Sequence, residues 1–579
     1  MCLAAAVALS FAAAGCMSTV PSTTPSSEPS TAPGREPLAT GTGPPLTTPG
    51  REPLATGTAP APAAVEITEG DDWSMPGWVV PATGTGFFSE DADPAHRVDV
   101  RSVDLSWRQL QPDGPGTIDR ESTGSAQGME FESLATQLAE PGPFWMRVFA
   151  SGVDWAPEWV VEDCGVKTYG PDYDDQWHLP IWDDCVWGHL SALYTLLFAD
   201  QALAADPDLR FVYVPGAFTW VEYDYDMISI AADRGELAVD RYLAWYRTML
   251  ADLVSIFGNE RTKLVFTGED YPFGPFDESD DLLAREAVDA GMGIRTGISE
   301  LANFHLSEAP AYGSHIGQDG HIVVDDRAAP HDGRVIATEN ECYRDCGYMT
   351  DDPYYSVRQS NLKSLQLRTN WLYVVPGPSY LDEFAEHWEW VRLSLGRTAA
   401  DSPDAWAALR DAEDVYWTED DTIDWPNRPY VRNLERWLVQ RDAAPDGVLV
   451  RSEADVHVHD LAPENGTAYE GLRTDHANGV DSFYFDLDDR FFGDVDPHDV
   501  LVKVTYLDAG TGSFTIEHPG GPSAAVDRTA TGSWKTATVP ITGFAATGSL
   551  AAGTDFAIRA PDGDDLTIRF VRLVRVDAP

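Results

Sequence analysis

Four short apolar runs in this 579-residue chain end abruptly in aromatic and acidic residues. They are residues 103–107 (VDLSW), 144–149 (FWMRVF), 211–222 (FVYVPGAFTWVE) and 335–341 (VIATENE). Two of these endings carry glutamate: Glu222 in one, Glu339 and Glu341 around Asn340 in the other. A third acidic ending, Glu269-Asp270, follows the apolar run 263–267. Carboxyl groups from separate chain segments, with tryptophans nearby, are what glycosidic bond cleavage requires. One group protonates the leaving oxygen while another stabilises or attacks the anomeric carbon of an oxocarbenium-like state.

Other residues could hold the substrate. Trp107, Trp145, Trp155, Trp159, Trp182, Trp220 and Trp371 fall at the ends of the apolar runs or just beyond them. Their faces suit the C–H surfaces of pyranose rings at small entropic cost. His178, in WHLPIWDD, offers a ring to a hydroxyl. Arg147 and Arg295 lie inside apolar runs, where an unpaired charge is costly. Each is expected to pair with an acidic strand ending, or to form an ion pair deeper in the fold. No His-rich ligand set points to a metal and no Gly-rich phosphate loop points to a nucleotide cofactor, so neither is expected.

The elements that must position these groups follow from the hydrophobic pattern. From about residue 65 to 440, apolar runs bounded by polar punctuation alternate with amphipathic stretches. Strands are expected over 101–107, 144–149, 211–215, 263–267, 293–296, 334–339 and 370–375. Helices are expected over 189–205, 240–257, 356–368, 380–396 and 430–440. Such alternation over this length predicts an α/β fold, a (β/α)8 TIM barrel, in which catalytic groups gather where strands end and loops begin. Beyond residue 441 short alternating segments separated by Gly, Asp and Pro predict an antiparallel β-sandwich, jelly-roll-like, over 441–579. That domain is expected to be structural or to bind sugar. Asp486, Asp488 and Asp489 are the acidic residues there that could hold calcium.

Residues 103–112 (VDLSWRQLQP) resemble the strand-two motif of clan A glycoside hydrolases, and residues 144–159 (FWMRVFASGVDWAPEW) are similar to their third strand. The C-terminal pattern FYFDLDD…VTYLD…SWKT…TDFAIR resembles sandwich domains attached to bacterial glycosidases. The resemblance implies that 211–222 stands where the fourth strand supplies an acid/base, Glu222. It implies likewise that 335–341 stands where the seventh supplies a nucleophile in a retaining mechanism. Trp220 and Tyr223 would desolvate Glu222 and keep its proton on, as a donor requires. Glu339 and Glu341 share strand parity; Glu339, nearer the apolar run, is favoured for rigidity. Glu269 or Asp270 could bind hydroxyls or replace Glu222 as donor. One departure stands out: the clan places Asn before the acid/base glutamate, and this chain has Val221. A carbohydrate-binding protein that kept the barrel without the chemistry is the alternative.

The remaining sequence bounds the setting. Acidic residues outnumber basic ones 94 to 39, giving a net charge of −55. Such a surface repels nucleic acid and anionic membranes, leaving an oligo- or polysaccharide as the expected partner. Residues 1–16 read as an export signal, and Ala13-Ala14-Gly15-Cys16 resembles the bacterial lipoprotein cleavage box. Lipidated Cys16 would then anchor the protein at the extracellular face of the membrane, its only membrane contact; an ordinary secretory signal would instead release it. Residues 17–64, with PGREPLATGT at 33–42 and again at 49–58, are too poor in apolar side chains to build a core and read as a tether. Export favours disulfides, expected as Cys164–Cys185 and Cys342–Cys346.

Overall fold

Apolar runs rich in β-branched and aromatic residues become short strands buried on both faces, and these assemble into one parallel sheet. In chain order the strands are Gly86–Phe88, Arg101–Ser106, Phe144–Phe149, Leu209–Val214, Leu264–Phe266, Gly293–Ile298, Ile336–Glu339 and Trp371–Tyr373. In space the second lies beside the third, the third beside the fourth, and so on to the eighth, which pairs with the first. The computed structural model describes residues 64–89, 98–172, 175–217, 226–267, 282–298, 314–316, 322–324, 336–339, 353–374, 380–409, 433–441, 451–456, 468–494 and 496–578.

The sheet curls strongly. The first strand is five positions from the fourth in sheet order, about 24 Å if the sheet were flat. Yet the rings of Phe88 and Phe211 lie 5.3 Å apart, and Phe211 lies 5.5 Å from Trp371 of the eighth strand. Phe88, Trp145, Phe211, Tyr213, Trp371 and Tyr373 therefore fill one interior, drawn from strands at both ends of the sheet order. The first and second strands, at those two ends, are linked by Asp99 N–H donating to Phe87 O at 2.8 Å. The Asp99 carboxylate accepts in turn from Phe87 N–H at 2.7 Å. A Cβ on Gly86 would sit 2.7 Å from that carboxylate, so only glycine allows the approach.

Helices Glu158–Cys164, Asp184–Tyr194, Val239–Phe257, Leu282–Asp289, Pro353–Gln366 and Ala385–Ser394 fill the connections. Three of them, Val239–Phe257, Pro353–Gln366 and Ala385–Ser394, fall on the spans expected over 240–257, 356–368 and 380–396, while Glu158–Cys164 and Leu282–Asp289 match no expected span. The helix expected over 189–205 starts earlier and passes into a wider turn at Thr195–Asp200.

Two antiparallel sheets form the second part of the fold. One orders Glu66–Glu69, Trp534–Phe544, His498–Leu507, Thr567–Arg575, Asp404–Ala408 and Leu434–Arg436. The other orders Leu438–Arg441, Ser482–Leu487, Phe556–Arg559 and Ser513–His518. Between them Val500, Val502, Val504, Val571 and Leu573 meet Phe483, Phe485, Phe514, Phe556 and Ile558 in one apolar core.

Strands Glu66–Glu69, Asp404–Ala408, Leu434–Arg436 and Leu438–Arg441 all come from the segment expected to belong to the parallel fold. The helix expected over 430–440 is replaced by two of them. Leu434, Trp437 and Leu438 imitate a helical stripe, but Trp437 adopts a left-handed φ of 58° at which the chain passes from one sheet to the other.

Buried ion pairs join the parallel and antiparallel parts. Asp71 accepts from Tyr354 Oη at 2.7 Å and from Arg569 at 3.0 Å, with Arg358 3.6 Å away. Burial pushes the Asp71 carboxyl upward, but Arg569, Arg358 and Tyr354 outweigh it and hold the group at about 2. Asp404 binds Arg572 at 2.8 Å and Trp390 Nε1 at 2.9 Å. Trp73 packs on Trp390 and Phe570 beside them.

Candidate active site at the strand ends

Parallel strands place all their C-terminal ends along one edge. The fourth strand stops at Val214, eight residues before Glu222. The fifth stops at Phe266, just before Glu269 and Asp270, and the seventh stops at Glu339 itself. The backbone of Glu339 is registered against Ile298 of the sixth strand, after a shift in the ladder at Thr338. Glu222, Trp220, Tyr223, Glu269, Asp270, Asn340, Glu341, Cys342 and Cys346 lie outside the described residues, as does Cys16.

Beneath this edge lies a charged floor. Arg147 shares one face of the third strand with Trp145 and Phe149, its guanidinium 5.4 and 5.1 Å from their ring centres. It is held bidentately by Asp104, registered opposite it on the second strand: Nε to Oδ1 at 2.6 Å and the second contact at 3.2 Å. A carboxylate of the neighbouring strand thus pairs with Arg147 deep in the fold, and the acidic strand endings that were its other expected partners lie largely outside the described residues. Arg295 is also buried, 5.8 Å over the ring of Tyr213.

The loops after the second and third strands are held together by Arg108. Ser106 and Gln109 form a capping box that starts the helix Trp107–Leu110. Arg108 N–H donates to Trp155 O at 2.7 Å, and its guanidinium donates to Ala156 O at 3.0 Å and Val153 O at 2.8 Å. The loop from 151 to 178 is organised around His178. Its ring is fully buried, with Nε2 2.6 Å from Asp172 and Nδ1 2.9 Å from Ser151 Oγ. Nε2–H donates to the carboxylate, and Nδ1 pairs with the serine hydroxyl. His178 therefore braces the loop.

Most tryptophans expected to face a sugar are packed instead. Trp107, Trp155, Trp182 and Trp371 are buried. Trp107 donates its indole N–H to the Gln111 side chain at 2.9 Å. Half-buried Trp159 donates to Gln111 O at 2.9 Å and meets Trp107 edge-on. Aromatic composition marks this region, but residue type alone does not tell a packed ring from a presented one.

Two features have no clear signature in the sequence: Arg108 as a staple, and a cleft of about 580 Å³ lined by Arg108, Ser125, Gln127, Asp154, Trp155 and Gln176. The one local signal is Gln127-Gly128, both at positive φ at the tip of the hairpin that joins Gly124–Ala126 to Met129–Phe131.

The Cys164–Cys185 disulfide is formed. Asp163 and His189 lie beside it, their ligand atoms within 4.8 Å of the sulfurs, but the sulfurs are bonded to each other. Among the described residues no helix is long and apolar enough to cross a membrane.

No family model and no curated protein matches the chain. Among solved structures, a Paenibacillus sp. cycloisomaltooligosaccharide glucanotransferase complexed with cycloisomaltoheptaose overlaps it at 7% identity and a TM-score of 0.21. The overlap covers 84% of this chain and 56% of that one. At that TM-score the likeness carries no argument for this chain.

Proposed function

We propose that this chain is an exported glycoside hydrolase whose curled parallel sheet closes as a (β/α)8 barrel. Two carboxyl groups at its mouth cleave an oligo- or polysaccharide. Glu222 is the general acid/base and Glu339, with Glu341 as its competitor, is the nucleophile. The reading is carried by one observation: the strand that leads to Glu222 and the strand that ends in Glu339 are parallel members of the same curled sheet. Both acid-bearing segments therefore leave the same edge. Glu269 and Asp270 follow the intervening fifth strand and join them as hydroxyl ligands.

In the reaction, protonated Glu222 gives its proton to the glycosidic oxygen as the bond to the anomeric carbon breaks. The nucleophile's carboxylate attacks that carbon from the opposite face. Glu222, now a base, takes a proton from the water that releases the sugar. A separation of roughly 5–5.5 Å between the carboxyl groups serves this double displacement. Lipidated Cys16 would keep the enzyme at the outer membrane face on the 17–64 tether.

The test is turnover of an aryl-glycoside panel by the full chain and by Glu222→Gln, Glu339→Gln and Glu341→Gln. Loss of general acid–base help removes about 10²–10⁴-fold in rate. Glu222→Gln and one of the other two should each fall at least that far while keeping the parental melting temperature. Retained turnover in Glu222→Gln would remove that residue from the reaction. A parent that binds oligosaccharides but hydrolyses none would instead be a carbohydrate-binding lipoprotein, the reading favoured by Val221 where Asn is usual.

A further inference from the structure

We propose that the Cys164–Cys185 bridge and the two side chains beside it form a redox-gated zinc site. When a dithiol opens the bridge, Cys164, Cys185, His189 and Asp163 close around one zinc ion. The site is built by two helices and is independent of whichever bond the strand-end carboxyl groups cleave.

Each helix contributes two ligands. Asp163 and Cys164 are the last two residues of Glu158–Cys164, which stops there because Gly165 turns left-handed at a φ of 61°. The Gly165 N–H returns to Val161 O at 2.9 Å and holds that end in place. Cys185 and His189 stand one turn apart on Asp184–Tyr194, so they share a face. Asp183 caps that helix by accepting from Cys185 N–H at 3.0 Å, which fixes the cysteine in the first turn, where the helix dipole favours a negative thiolate. Across the gap His189 Nε2 is 2.8 Å from Asp163 Oδ2, and the four ligand atoms all lie within 4.8 Å of one another. A tetrahedral zinc ion with bonds of roughly 2.0–2.3 Å needs ligand atoms roughly 3.3–3.8 Å apart. The sulfurs must part and the imidazole and carboxylate must separate slightly. The cysteine Cα atoms are already 5.7 Å apart, so side-chain rotation supplies the movement.

Two thiolates, an imidazole and one carboxylate suit zinc, whereas calcium and magnesium need a set of oxygens. Trp159 meets the His189 ring edge-on at 5.0 Å and is itself held by Gln111 O, so the imidazole is oriented before an ion arrives. A cleft of about 450 Å³ lined by Asp113, Trp159, Glu162 and Asp163 gives access. Its three carboxylates, on a chain of net charge −55, draw a cation inward. Opening the bridge consumes one dithiol: two electrons and two protons pass to the sulfurs, and the dithiol closes to its own disulfide. Zinc then releases both thiol protons to solvent and rejoins the helices that the bridge had joined.

The experiment uses the full chain carrying Cys342→Ser and Cys346→Ser, which removes the other closely spaced cysteine pair. It is reduced with dithiothreitol, freed of reductant by anaerobic gel filtration in metal-free buffer, and titrated with zinc by calorimetry and with cobalt(II) by absorbance. The expected result is one equivalent of zinc bound roughly a hundredfold more tightly than by the oxidised chain. Cobalt should give thiolate charge-transfer bands with tetrahedral ligand-field bands, and zinc should raise the melting temperature of the reduced chain toward that of the oxidised one. His189→Ala and Asp163→Asn change side chains that are 22% and 63% exposed. Each should weaken zinc roughly tenfold or more, while their oxidised forms melt with the parent. Equal zinc affinity in the oxidised and reduced chains overturns the proposal, as does an unchanged cobalt spectrum when Cys164→Ser and Cys185→Ser are added. Zinc affinity unmoved by either ligand substitution, or a reduced chain that zinc neither binds nor restabilises, overturns it as well.

Discussion

Asp104 and Arg147 sit opposite each other on neighbouring strands, and their side chains are only 12% and 0% exposed. Each makes the other tolerable in an interior otherwise lined by aromatic rings. Removing either residue breaks this bidentate pair, a change that costs about 3–5 kcal/mol in buried pairs. Asp104→Asn should therefore lower the urea midpoint steeply, whereas a paired replacement, Asp104→Leu with Arg147→Met, should recover much of the loss. A denaturation series on the three variants checks both. That Arg147 needed a partner was legible from its apolar run. Which carboxylate served was not, because pairing across strands depends on a register that a single run of sequence does not contain.

At the scale of elements, the loop from 151 to 178 and the helices around it show how several weak constraints fix one shape. The Cys164–Cys185 bridge joins the last residue of one helix to the second residue of another, 21 positions along. Closing a loop of that size stabilises by about 3 kcal/mol in the chain-entropy model. The double variant Cys164→Ser with Cys185→Ser should melt several degrees lower than the parent, and a dithiol should lower the parent to the same value while leaving the variant unmoved. Strand positions and most helix cores could be read from periodicity, since apolar runs and amphipathic stripes survive into the structure. The stretch 434–441 could not. Its apolar residues obey a helical spacing, yet a single left-handed residue at Trp437 divides them between two sheets. The tryptophans followed the same logic: their clustering was legible and their orientation was not, because packing partners from distant segments decide which rings are covered.

Across the whole molecule, the seam between the parallel and antiparallel parts is built from charge as much as from apolar contact. The side chains of Asp71, Arg358, Asp404 and Arg572 are buried there with Arg569 partly buried beside them, and segment 66–75 supplies both a strand and a carboxylate to the join. A fragment ending near residue 440 would keep Asp404 without Arg572 and Asp71 without Arg569. It would also carry strands Asp404–Ala408 and Leu434–Arg436 with an edge left unpaired. Expression of 65–440 alone should therefore give aggregated protein, while a chain running from 65 to 579 folds; size-exclusion chromatography of the two separates the outcomes. A change of composition near residue 441 was readable, but the interleaving of strands across it was not, since antiparallel partners can be hundreds of residues apart.

That interleaving sets a timetable for the ribosome. Thr68 bonds to the carbonyl of Thr536, 468 positions later, so the first strand to emerge pairs with one of the last. At roughly 5–20 residues per second, it waits about 25–90 s for its partner. During that delay an unpaired edge is exposed to other nascent chains, and glutamates at both ends of Glu66–Glu69 supply charge of the kind that discourages mispairing.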